Sequence, residues 1–197
     1  WAREVAKLKQ STAYVSLYIG LEGDVEAAGG SKANQWYYES WDMEKDAWDI
    51  SDPNSLAPVL YISFPSLKDP QHKTSGLNAK HTMEAITFVS WDHFEKWKHT
   101  RRGNRDTDYI EFKKNLETRL LNQVKTKLPR IASLIRHVEF STPLSTTFFT
   151  RAPEGAIYGL EGTPARFKSS ALRTRTPYKG LYLAGSDVAV FVVSGAL

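Results

Sequence analysis

The chain has 197 residues, 41% hydrophobic and 24% charged, with a formal net charge of +4 and no cysteine. That balance is ordinary for a soluble globular protein, and the length suffices for one sizeable core or two small subdomains. The lack of cysteine excludes disulfides, thiolate catalysis and cysteine-ligated metals, and no run approaches the roughly 18 apolar residues of a membrane-spanning helix.

Ala13 to Leu21 (AYVSLYIGL) is rich in β-branched and aromatic residues and reads as a well-buried strand. Gly29-Gly30-Ser31 marks a turn, and Asn34 to Ser40 (NQWYYES) reads as a second strand, aromatic on both faces. Asp42 to Ser55 is acidic and polar and closes on the turn signal Asp52-Pro53-Asn54. Ala57 to Pro65 predicts a third strand, with Tyr61 and Ser63 on one face and Leu60, Ile62 and Phe64 on the other. A loop to Lys80 leads into a fourth strand, His81 to Trp91 (HTMEAITFVSW). Strands joined by loops rather than helices argue for an antiparallel or mixed sheet.

Trp91 to His99 suggests a short helix, and Arg101 to Arg105 a basic loop. The clearest helix follows, because Tyr109, Phe112, Leu116, Leu120, Val124 and Leu128 recur at spacings of three and four and form one apolar stripe. Asp108 with Glu111 three residues later predicts its cap. Pro129 ends it or opens a second short helix through Ile135. Ser141 to Thr176 is rich in Thr, Pro, Gly and Arg without periodicity and reads as an extended loop held against something else. Gly180 to Ala184 reads as a short buried strand, Gly185, Ser186 and Asp187 as a sharp turn, and the small apolar residues after it as the start of a helix. Such a turn exposes backbone N–H groups and a positive helix end, which suit a phosphate. The fold class expected is therefore α+β: a mixed or antiparallel sheet with an amphipathic helix layer over residues 1–140, then a strand–turn–helix segment over 141–197.

Charge is unevenly spread. Glu22 to Asn54 holds nine acids and two bases, whereas Phe94 to Arg136 holds twelve bases and five acids. The basic region suits either a solvated helix face or an anionic membrane surface. No nucleic-acid motif accompanies it, so DNA or RNA is not an expected partner. The chain opens on Trp1 without a Met and stops at Leu197 inside an apolar segment, and both ends read as cuts in a longer protein, with proteolytic maturation as the alternative.

No constellation for acid–base, nucleophilic or metal chemistry stands out. The five histidines are scattered, and His93 and His99 lack the spacing of a helical metal pair. The carboxylates of Asp42, Glu44, Asp46 and Asp49 sit in one acidic loop rather than across a cleft, and no Gly-x-Ser-x-Gly elbow occurs. Trp36, Tyr37, Tyr38 and Trp41, with Tyr61, Phe64 and Phe88 on neighbouring strands, form either a core or an aromatic wall for a long apolar ligand. In Thr142 to Gly159, Gly155 and Gly159 lie four apart with no strand leading in, which is not the usual dinucleotide fingerprint.

The run from Thr142-Pro-Leu to Ile157-Tyr158-Gly159, then Lys179-Gly-Leu-Tyr-Leu-Ala-Gly-Ser-Asp-Val188 and Gly195-Ala-Leu197, resembles the C-terminal half of the phytoene desaturase-like flavoproteins. That family includes carotenoid desaturases, carotenoid isomerases and retinol saturases. The resemblance implies FAD as cofactor, with NAD(P) as a candidate reductant, and cofactor contacts at Gly155, Ala156, Tyr158, Gly185, Ser186, Asp187 and Val188. It implies a polyene or isoprenoid substrate against Trp36, Tyr38, Tyr61, Phe64 and Phe88, and it names no catalytic residue and no metal. Desaturation, saturation or isomerisation of C–C bonds would be the chemistry, carried by the flavin. A non-catalytic module for an apolar ligand or a partner chain is the alternative.

Two departures bear on this. The family's Gly-x-Gly-x-x-Gly unit is absent from these residues, and Val192 stands where members commonly carry glycine. The chain is accordingly expected to need an N-terminal FAD-binding half as its partner, and to bind FAD weakly or not at all by itself. The expected location is cytoplasmic, with peripheral contact to a membrane surface.

Overall fold

A computed structural model describes residues 1–42, 44–72 and 78–188. Its centre is a six-stranded sheet of β1 (Ala13–Glu22), β2 (Gln35–Tyr38), β3 (Ala47–Trp48), β4 (Val59–Ser63), β5 (Lys80–Val89) and β6 (Ile135–Ser141). The order is β2-β4-β5-β1-β6, antiparallel throughout, with β3 adding a parallel pairing to β5 at Ala47–Phe88 and Trp48–Val89. The helices are α1 (Ala2–Val5), α2 (Pro65–Lys68), α3 (Thr107–Lys127), α4 (Pro129–Ala132), α5 (Pro143–Thr150) and α6 (Pro164–Lys168). The α+β class read from the sequence holds, and the four strands read from it are β2, β4, β5 and β1, consecutive neighbours running in from one edge of the sheet.

The period-two pattern decides what is buried. Val15, Leu17, Ile19 and Leu21 of β1, Leu60 and Ile62 of β4, Met83 and Ala85 of β5, and Phe140 of β6 share one core with Tyr109, Leu116, Leu120 and Val124 of α3. At about 25 cal/mol per Å² of apolar surface removed from water, this helix-covered face supplies most of the driving force for folding. Several buried polar groups there are paired internally, although the Thr87 hydroxyl has no hydrogen-bond partner among the described residues. The Gln123 side chain donates to the Ala57 carbonyl and accepts from its N–H, both at 2.9 Å. The Tyr109 and Thr142 hydroxyls share a hydrogen bond of 2.8 Å.

The cap of α3 differs from the one expected. Asp106, not Asp108, is extended at the N-terminus, and its carboxylate accepts from the Tyr109 N–H at 2.9 Å. Asp108 already lies inside the first turn. Asp106 also accepts from the Trp97 indole at 3.0 Å, so one side chain fixes both the helix start and the two 3-10 turns before it.

Three stretches carry more structure than their composition suggested. The acidic run Asp42–Ser55 is not wholly solvated, because Trp48 and Ile50 are buried. Arg119 of α3 holds it, donating to the carbonyls of Ile50 (3.1 Å), Asp52 (2.6 Å) and Ser55 (3.1 Å), with its guanidinium over the Trp48 ring. The edge strand β6 was not read from the sequence, since its outward residues are polar. Finally, Pro143–Thr150 is the helix α5 with proline in its first turn, which the β-branched threonines concealed.

The extended remainder of that last section is held against the chain just before β1. Ser11 donates to the Gly159 carbonyl (2.7 Å), Ile157 to that of Thr12 (3.1 Å) and Glu161 to that of Lys9 (2.8 Å). Gly180–Ala184, read as a buried strand, stays out of the sheet and is largely exposed, with Tyr182 pairing only across to Arg175. No sheet neighbour covers its apolar side chains there. The helix expected after the turn, together with Val192, lies outside the described residues.

Candidate functional site

The face of the sheet opposite α3 carries Trp36 and Tyr38 of β2, Val59 and Tyr61 of β4, Glu84, Ile86 and Phe88 of β5, and Tyr14 and Tyr18 of β1. The register places Trp36 beside Tyr61, Tyr61 beside Ile86, and Phe88 beside Tyr14. Trp36 and Tyr61 meet edge to face with ring centroids 5.0 Å apart. Here Trp36, Tyr61, Ile86 and Phe88, with Ile157 and Tyr158 from the loop after α5, line a trench of about 270 Å³. That is near the lower end of small-molecule sites, which run from about 300 Å³ upward.

Of the five aromatic residues assigned to substrate, the structure brings Trp36, Tyr61 and Phe88 together. Tyr38 lies on the same face further along the edge strand, half-exposed and outside the trench lining. Phe64 does not join them: it follows Leu60 and Ile62 onto the helix-covered face and is fully buried in the core. Glu84 also lines the trench, and no motif pointed to it. Burial pushes its carboxyl above the ordinary glutamate range, partly offset by the charge of Lys68. Tyr18, its cross-strand neighbour, is likewise raised, by burial first and then by the negative charge of Glu84.

A second cavity, of about 630 Å³, opens where the two C-terminal motifs meet. Its lining includes Ala156 and Tyr158 from the first motif and Ser186, Asp187 and Val188 from the second, with Tyr14 and Leu160. Ile157 and Tyr158 belong to both this cavity and the trench. Gly155 stands at φ +64° with its α-carbon against Pro143, where a Cβ would come within 2.6–2.7 Å of proline atoms, so it shapes the loop rather than lining the space. Gly185, at φ +118°, has nothing within 4 Å of where a Cβ would stand, leaving the turn backbone open to a close neighbour.

A clamp that sequence reasoning missed joins the motifs. The Asp187 carboxylate accepts from the Leu160 N–H at 2.7 Å and packs so closely on Gly159, itself at a left-handed φ of +75°, that it leaves no room for a Cβ there. Arg166 is 3% exposed and donates to the carbonyls of Leu160 and Ser186, with its guanidinium 3.7 Å from Asp187. The available signal was Thr163-Pro164, a cap-and-proline helix start, whose threonine accepts from the Arg166 N–H at 3.3 Å.

A third concavity, of about 630 Å³, lies beside α3 and is lined by Arg102, Arg105, Lys113 and Lys114 with Tyr18, Glu139 and Phe149. Phe148 and Phe149 are both exposed, and the Arg102 guanidinium lies over both rings at 5.6 and 4.8 Å. Among the described residues no helix is long and apolar enough to cross a membrane.

No family model matches the chain. Curated relatives extend the resemblance read from the two C-terminal motifs over nearly the whole chain. The all-trans-retinol 13,14-reductase of Danio rerio is 29% identical across 99% of this chain, and the human protein of that name 27% across 99%. A Danio rerio protein named inactive all-trans-retinol 13,14-reductase is 25% identical across 96%. The chain spans about a third of the length of these relatives (33%, 33% and 32%).

Proposed function

We propose that this chain is the substrate-binding part, with one edge of the flavin site, of an FAD-dependent oxidoreductase that acts on a carbon–carbon bond of a retinoid or related isoprenoid. The observation that carries this reading is the wall formed by Ile157 and Tyr158, common to the aromatic trench and to the cavity between the motifs. A ligand in the trench would lie next to whatever the second cavity holds. Bound FAD would supply hydride exchange at carbon.

The residues present suit part of such a cofactor. The turn backbone at Gly185 is open to close approach, Tyr158 offers an aromatic face, and the clamp of Asp187 and Arg166 holds both motifs in place before any ligand arrives. The chain's own work is to bind and orient: Trp36, Tyr61, Ile86 and Phe88 exclude water along one apolar path, and Tyr158 separates it from the neighbouring cavity. The exposed Phe148 and Phe149 with Arg102, Lys113 and Lys114 beside them are the surface we propose to rest on an anionic membrane, from which an apolar substrate is drawn.

The test is made on the protein that carries this chain together with a dinucleotide-binding half. A flavin spectrum that survives gel filtration, and conversion of all-trans-retinol to a dihydro product under reducing conditions, are expected. One relative is named an inactive all-trans-retinol 13,14-reductase, which favours a second reading, a retinoid-binding module without turnover. Retinol binding without flavin or product would select that module. No retinol binding at all would sink both.

A further inference from the structure

The trench has one feature that an apolar slot does not need. Its walls are Trp36, Tyr61, Ile86, Phe88 and Ile157, and Glu84 is the sole carboxylate among its lining residues. Glu84 stands on β5, which is paired on both sides, opposite Tyr18 of β1 and Ser63 of β4. Its backbone is thus among the best fixed in the molecule. The side chain is half-buried, and no hydrogen bond or salt bridge engages it among the described residues. The nearby Lys68 ammonium is turned to other partners, donating to the Ser63 hydroxyl at 2.7 Å and to the Asn34 side chain.

A carboxyl group set in an apolar wall without a protein partner is costly unless something else satisfies it. Glu84 and Phe88 stand four positions apart on the strand, a run of about 13 Å at about 3.3 Å per residue. The trench is therefore a mainly apolar path whose lining carries one carboxyl group. We propose that Glu84 is its specificity-determining residue, binding the hydroxyl of an elongated apolar alcohol whose hydrocarbon lies along the aromatic residues.

This rests on the substrate reading above and deepens it. A hydroxyl is matched by either form of the carboxyl: the protonated acid donates to its oxygen, and the carboxylate accepts its proton. A ligand ending in a carboxylate would be repelled by ionised Glu84, and one ending in a methyl group would leave it unsatisfied. The burial that lifts its proton affinity has the same origin, a wall that hydrates the charge poorly.

The experiment follows quenching of tryptophan fluorescence in the full chain, with Trp36 in the trench as reporter and Trp36→Phe as control. The probes are all-trans-retinol, the same polyene ending in a methyl group, and the same polyene ending in a carboxylic acid. Glu84→Leu is expected to weaken retinol binding by about tenfold or more, the loss of one hydrogen bond to an ionisable group, while leaving the methyl-ended polyene within about twofold. Glu84→Gln, a near-isosteric change, is expected to hold retinol within about threefold and to tighten the carboxylate probe by about fivefold or more at neutral pH. Equal losses for retinol and the methyl-ended polyene, or no gain for the carboxylate with Glu84→Gln, overturn the role of Glu84 and leave the trench as a substrate site. Failure of the unsubstituted chain to bind any probe removes the trench and this proposal together.

Discussion

The two faces of the sheet are built from the same strands but lead to different ends. On one, Leu17, Ile19, Leu60, Met83 and Phe140 close against Leu116, Leu120 and Val124, and polar atoms there are largely paired internally. On the other, Trp36 is 51% exposed, Tyr61 and Phe88 are half-covered, and Glu84 has no hydrogen-bond partner among the described residues. Alternation with period two makes this division automatic, since each strand serves both surfaces. The lesson is that aromatic content does not locate a site. Phe64 and Tyr61 are three residues apart in one stretch, and only the parity of their positions separates core from trench.

The contrast can be broken from either side. The largest expected effect is on the helix-covered face: Leu120→Ala should cost about 2–5 kcal/mol in urea-monitored unfolding, because it removes a fully buried side chain. A loss below about 1 kcal/mol would mean that α3 is not seated as described. Gln123→Leu should come next, at about 1–3 kcal/mol by the same measurement, through the stranded Ala57 N–H and carbonyl.

Arg166→Met should act locally. Amide exchange should accelerate in residues 157–166 and 184–188 while β1 and β5 keep their protection, since the guanidinium joins the two motifs through the Leu160 and Ser186 carbonyls. Uniform acceleration would show that the clamp holds the whole fold. Asp106→Ala should cost about 1 kcal/mol, the value of an N-cap, and Asp108→Ala distinctly less.

The smallest effects belong to the open face. Trp36→Ala should change stability by less than about 1 kcal/mol, yet abolish most of the ligand-induced fluorescence response. For Glu84 the sign is fixed by its raised proton affinity. The folded state holds the proton more tightly than the unfolded chain, so stability falls as pH rises from the ordinary glutamate value through the higher folded one. Glu84→Gln should therefore melt above the parent at neutral pH, and the difference should vanish in acid. An advantage that persisted or grew in acid would contradict this sign.

Local sequence signals reached the strands and α3, because each has a long enough period to be counted. They failed where a residue's role depends on a distant partner. Trp48 and Ile50 looked like parts of a solvated acidic loop until Arg119, some seventy residues later, stacked on the Trp48 ring and took the Ile50 carbonyl. The helix α5 was hidden by three threonines whose propensity is overridden by packing, with Pro143, Leu144 and Thr146 buried. In the candidate site, Trp36, Tyr61, Phe88, Tyr158 and Asp187 were named from the sequence, whereas Glu84 and Arg166 were not. Neither belongs to a motif, and each gains its meaning from what the fold sets beside it.

By itself the sequence determined the α+β class, the amphipathic helix, the alternating strands and the two C-terminal motifs that carry the family resemblance. These depend on short-range periodicity and on glycines needing particular backbone angles, which any reader of the chain can count. Only the tertiary structure decided which aromatic residues face outward together, that the motif loop walls both cavities, and that Asp187 and Arg166 fasten the motifs. Those facts arise from register and long-range closure, whose energies come from pairings between residues far apart in the chain and leave no local trace.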